Sequence, residues 1–181
     1  VSRKDYSGFH IAASHSDSPT LKIKESSEMN IENQYLKLNV EKYGGMLCAP
    51  WFDRPLPVAG LIIVKDGNRL TTKLINVDRD LLMIPNLAIH MNREVNDGYK
   101  YNIQKDMLPL YRMSNSGKAF KEMIAEEAGV SVDQIKGMDL FLYNRMEGTV
   151  WGCDGEFISA PRLDDLQCAF TSTMALLNSE S

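Results

Sequence analysis

The chain has 181 residues, 44% apolar and 24% charged, a globular balance with enough apolar material for a real core. Its 20 basic and 24 acidic residues leave a net charge of −4, spread without long blocks of one sign. That gives no electrostatic reason to expect nucleic acid or an anionic membrane as partner. Cys48, Cys153 and Cys168 are an odd number at wide spacing, which matches neither a disulfide framework nor a CxxC zinc site. The longest apolar stretches, such as Val58 to Val64, are far too short to span a bilayer, so a reduced, cytoplasmic chain is the expectation. The sequence opens at Val1 rather than Met and reads as starting and stopping inside structure, so a targeting segment would not be visible in it.

In chain order, the apolar run Gly8 to Ser14 predicts a buried strand that feeds the polar cluster His15-Ser16-Asp17-Ser18-Pro19. Leu36, Leu38 and Val40 alternate with Lys37, Asn39 and Glu41, the two-residue period of a half-buried strand. Leu61–Lys65 and Leu70–Val77 flank Asp66-Gly67-Asn68, which predicts a hairpin. Leu81–Pro85 and Asp139–Tyr143 are further strand candidates, and Lys118 to Gly129 is the one helical segment of this middle region, with Gly129 just past its end. Glu156–Ala160 predicts a strand, and Pro161-Arg162-Leu163-Asp164-Asp165 then leads into a helix. Leu163, Leu166, Phe170, Met174 and Leu177 mark that helix, with Asp164 or Asp165 as its N-cap. The pattern is an α/β unit in two pieces, residues 1–19 and 151–181, interrupted by a β-rich insertion over residues 20–150. The first piece alone is too short to bury a core.

Two places carry chemistry. His15 closes an apolar run at a strand-to-loop boundary, where α/β folds open their ligand crevices, and an Asp two residues on can orient a metal-bound imidazole. The same His-x-Asp also fits a surface loop with an Asx turn at Asp17. Asp164 stands at the second strand-to-helix junction, where its carboxylate could cap the helix or bridge two cations about 3.5–4 Å apart.

Five segments in order, Ala13-Ser14-His15-Ser16-Asp17-Ser18-Pro19, Tyr43-Gly44-Gly45, Trp51-Phe52-Asp53-Arg54-Pro55-Leu56, Ile84-Pro85-Asn86-Leu87-Ala88-Ile89-His90 and Phe157-Ile158-Ser159-Ala160-Pro161-Arg162-Leu163-Asp164, resemble successive blocks of M18 metallopeptidases, the aspartyl aminopeptidase and aminopeptidase I family. The resemblance runs over nearly the whole chain. It implies an α/β catalytic domain with two zinc ions, cobalt or manganese being alternatives, interrupted by a β-rich dimerisation domain. It makes His15 a zinc ligand, Asp17 its supporting acid and Asp164 the carboxylate bridging both metals. It makes His90 a histidine that reaches into a partner subunit's active site to bind substrate or stabilise the tetrahedral oxyanion. Read alone, His90 is also an ordinary strand histidine between Ile89 and Met91.

The resemblance further implies a homo-oligomer acting on peptides with a free N-terminus, acidic or else neutral. The family's paired glutamates, a further Asp and a late His lie downstream of the block containing Asp164, beyond Ser181. Glu126-Glu127 does not match that pair and reads as a solvated helix face. Asp165 stands where Asn is usual, and Tyr43-Gly44-Gly45 with Trp51 and Phe52 reads as structural. Two other readings stay open at this point: a non-catalytic oligomerisation fragment, and a related two-metal hydrolase with another substrate.

Overall fold

Alternation of apolar and polar residues decides how the middle of the chain folds. In β2 (Tyr35–Tyr43), Leu36, Leu38 and Val40 are buried, while Lys37 and Asn39 are partly covered and Glu41 is exposed. The same inward set recurs as Leu21 and Ile23 in β1 (Thr20–Ile31), Leu56, Val58, Ile62 and Val64 in β3 (Pro55–Asp66), and Ile75, Val77 and Leu82 in β4 (Arg69–Met83). With β5 (Leu110–Met113) and β6 (Ile135–Leu142), these strands close a barrel in the order β1-β2-β5-β4-β3-β6, every neighbouring pair antiparallel. So few strands leave an interior that side chains fill, not a channel.

The hairpin expected at Asp66-Gly67-Asn68 is formed: Asp66 pairs with Arg69, and Gly67 takes the left-handed position at φ 57°. After the single-turn helix α1 (Ile103–Asp106), helix α2 (Phe120–Ala128) buries Phe120, Met123, Ile124 and Ala125 in the core that the barrel strands build. Its first donors are satisfied by Glu28, whose Oε1 accepts from the Phe120 N–H at 2.7 Å, and by Glu122, whose Oε2 accepts from the Ala119 N–H at 2.9 Å. Gly129 ends it at φ 65°. Phe120 is fully buried, so Phe120→Ala is expected to cost about 3–5 kcal/mol in urea unfolding. A loss below about 1 kcal/mol would mean that α2 is not part of the cooperative core.

The computed structural model describes residues 8–9 and 11–179, and it divides the chain into two compact units. The barrel unit is Pro19–Arg145, and the described residues up to Ser18 form the other unit together with those from Met146 onward. This second unit holds an antiparallel pair, β7 (Thr149–Trp151) and β8 (Phe157–Ser159), and helix α3 (Leu163–Asn178). The Trp151 and Phe157 rings lie 4.8 Å apart across the pair. None of the unit's described residues is buried, and the α3 stripe of Leu163, Leu166, Phe170, Met174 and Leu177 is 38–71% exposed.

One expectation fails here. The described residues from Gly8 to Ser14 form no strand, and Phe9 and Ile11 are 76% and 85% exposed; His10, in the same run, lies outside the described residues. A strand is made by its hydrogen-bonded neighbours, and no described strand lies beside this segment. Among the described residues no helix is long and apolar enough to cross a membrane.

Candidate metal centre

His15 and Asp164 are 149 residues apart in sequence, yet they meet in one unit because the segment before Ser18 packs with the start of α3. The His15 ring sits with Nδ1 2.9 Å from the main-chain oxygen of Asp17 and 3.3 Å from its Oδ1. A carbonyl can only accept, so this contact places the proton on Nδ1 and leaves the Nε2 lone pair open to a ligand. Nε2 faces Asp164 Oδ1 at 3.4 Å and Asp165 Oδ2 at 3.8 Å. The side chain of Asp164 is 95% exposed, that of Asp165 only 18%.

The two aspartates divide their tasks. Both have non-helical backbone angles, so the continuous turns of α3 begin after Asp165, and the peptide between them is cis. The Asp165 carboxylate accepts from the Cys168 thiol and main-chain N–H, the capping contact of the regular helix, and its Oδ2 accepts from the His15 N–H at 3.3 Å. Asp165 therefore ties the His15 segment to the helix end. The Cys168 thiol, foremost, and then His15 hold the Asp165 carboxyl below its ordinary range, and the same contact raises the thiol of Cys168. The hydrogen bond to the Asp17 carbonyl raises the His15 pKa, desolvation opposes it, and the carboxylates of Asp165, Asp17 and Asp164 add to the rise.

An imidazole nitrogen and a carboxylate oxygen 3.4 Å apart are a donor set zinc accepts, and the Nδ1-to-carbonyl hydrogen bond is the support a metal-bound histidine commonly has. His15 and Asp164 thus fit as two ligands. Among the described residues no group of three or more His, Cys, Asp or Glu could hold a metal ion, so the pair would be part of a coordination sphere.

His90 belongs to the barrel unit. It is exposed and lies in a 3₁₀ turn, Ile89–Met91, closed by the Met91 N–H on the Ala88 carbonyl at 2.8 Å; it is not a strand residue. Glu126 and Glu127 are exposed on α2, and Glu126 pairs with Lys118 at 2.6 Å, a solvated face as read from sequence. Phe52 is a core residue, its ring 5.0 Å from that of Tyr101. Asp165 was one of the two N-cap candidates in the sequence; what the sequence did not show is its hold on the His15 main-chain N–H. Its signal was the acidic doublet itself, since one junction offers one cap and leaves the second carboxylate for other work.

The family profile described as Aminopeptidase I zinc metalloprotease (M18) matches residues 1–181. The chain belongs to the M18 family. A probable M18 family aminopeptidase 2 from Clostridium acetobutylicum is 47% identical over 180 residues, covering 96% of this chain and 41% of that protein. Among solved structures, Chaetomium thermophilum mApe1 superposes with a TM-score of 0.76 at 32% identity, over 92% of this M18 chain and 41% of that one. The S. cerevisiae mApe1 dodecamer gives 0.70 at 26% identity, over 91% and 37%. The chain spans about 41% of the length of the curated relatives it matches.

Proposed function

We propose that this chain is part of a cytoplasmic zinc aminopeptidase that removes N-terminal residues from peptides. The observation that carries the reading is the convergence of His15 Nε2 and Asp164 Oδ1 at 3.4 Å, from two remote segments, in a chain that is M18 throughout. His15 and Asp164 would hold zinc, Asp164 offering one oxygen to each of two ions, with the remaining ligands from the region the resemblance places downstream; cobalt or manganese could substitute. Bound zinc would supply Lewis acidity toward the scissile carbonyl and toward a water molecule. The Asp17 carbonyl holds the His15 tautomer, and Asp165 holds the His15 main chain against α3. The barrel unit is read as the dimerisation domain of a homo-oligomer, a reading supported by the dodecameric state of the S. cerevisiae neighbour. His90 is read as the group it presents to a partner's substrate.

The full-length protein, reloaded with zinc, should cleave aspartyl-, glutamyl- or leucyl-nitroanilide and leave the N-blocked counterparts intact. Cleavage of blocked substrates but not free ones would rule out an aminopeptidase. His90→Phe should spare zinc and lower turnover. Mixed oligomers of His90→Phe with His15→Ala should regain part of the activity, because one kind of site would then have both its metal and its partner's histidine. No recovery in proven mixed oligomers would sink action across subunits.

A further inference from the structure

Main-chain pairing and the Asp53 side chain hold the root of the segment that carries His90. Where β4 ends, Ile84 is fully buried and bridges Phe52 in parallel pairing. The next residue after Phe52, Asp53, donates its N–H to the Ile84 carbonyl at 3.0 Å. Its Oδ1 accepts from the Asn86 N–H at 2.8 Å, and the Asn86 side chain in turn accepts from the Leu87 N–H at 3.1 Å. Asp53 reaches both contacts at φ 56°, a left-handed conformation that Asp and Asn tolerate better than other side chains. Its own footing is firm, because Phe52 is core and the preceding 3₁₀ turn, Ala49–Trp51, closes through the Trp51 N–H on the Cys48 carbonyl at 3.0 Å.

The path onward is short. Two residues after the clamped amide of Asn86, the turn Ile89–Met91 begins from Ala88, and His90 is its middle residue. We propose that Asp53 is a positioning residue for His90: its carboxylate fixes the direction in which the segment leaves the barrel and therefore where the imidazole is presented. The inference rests on the reading that His90 acts on substrate. A charged acceptor bonded to a main-chain N–H is among the stronger single hydrogen bonds, and small displacements of a group that must meet a substrate lower turnover steeply.

Asp53→Gly and Asp53→Asn in the full-length protein separate the possibilities. Glycine accepts φ 56° without strain but removes the acceptor, whereas Asn keeps both the left-handed tolerance and the oxygen. With Gly at 53, the Asn86 amide should exchange roughly tenfold or more faster, and kcat should fall roughly 10- to 100-fold with zinc content unchanged. Asn at 53 should recover most of both. In a His90→Ala background, Asp53→Gly should lower kcat no further, since the residue it positions is gone. An unchanged Asn86 exchange rate would overturn the clamp. A kcat loss of the same size with and without His90 would overturn the link to His90. If His90→Ala itself leaves kcat intact in zinc-loaded enzyme, the reading of His90 fails first and this inference with it, which the single variant reveals on its own.

Discussion

In the full-length protein, His15→Ala and Asp164→Ala are each expected to lower zinc affinity by a factor on the order of 100 or more and to abolish most turnover. Each removes one donor from the pair at 3.4 Å. The neighbouring positions should respond less, in an order the contacts dictate. Asp17→Ala leaves the main-chain oxygen at 2.9 Å from Nδ1 and deletes only the carboxylate at 3.3 Å, so its effect on zinc affinity should be about tenfold or less. Asp165→Ala removes the acceptor for the His15 N–H together with the cap of α3, which should lower the thermal midpoint and cost roughly 10- to 100-fold in affinity. Asp165→Asn keeps one acceptor oxygen and should cost less than Asp165→Ala. Zinc stoichiometry and competition with a chelator read all of these, and full stoichiometry with tight binding in Asp164→Ala would refute its place as a ligand.

The barrel was legible where burial is one-sided. Leu36, Leu38 and Val40 announce β2 because one face of that strand meets the core and the other meets water. The hairpin at Gly67 and the helix ending at Gly129 were legible for the same kind of reason, a glycine where the backbone must turn left-handed. Closure of the barrel was not, because β5 has only four residues and the pattern of β1 breaks at the register shift between Ile23 and Glu28. Gly8 to Ser14 misled because an apolar run states a wish for burial but not the partner that would make it a strand. At the candidate metal centre, the sequence named the two residues that lie together, His15 and Asp164, but not the atoms that meet. His-x-Asp suggests a carboxylate on the imidazole, yet the nearer acceptor is the main-chain oxygen of Asp17, which no side-chain motif can encode. The left-handed Asp53 was hidden likewise, since a tolerated φ > 0 leaves no mark on an Asp.

Gly60→Ala is expected to destabilise the barrel by about 3 kcal/mol or more. Gly60 lies in the middle of β3, paired with Ile75 of β4 on one side and Leu140 of β6 on the other. At φ 152° a Cβ built there would sit 2.1 Å from the Asp139 carbonyl oxygen and 2.9 Å from the Leu140 Cα. Both are main-chain atoms of β6, so no side-chain rotamer can relieve the clash, and the strands must separate. Gly137 is the control. It lies on β6 opposite Ile63, in the same β3–β6 pairing, but a Cβ there meets the Ile63 side chain at 3.5 Å from Cδ1 and 3.9 Å from Cβ and Cγ1, all ordinary contacts. Gly137→Ala should therefore change stability by less than about 1 kcal/mol. Urea midpoints of the two variants give the comparison, and equal midpoints would show that β3 and β6 do not approach as closely as described. The cost should extend beyond ΔG, because a closed barrel has no edge strands and parting β3 from β6 creates two. Gly60→Ala should accordingly aggregate at concentrations where Gly137→Ala stays dispersed, with light scattering as the measurement.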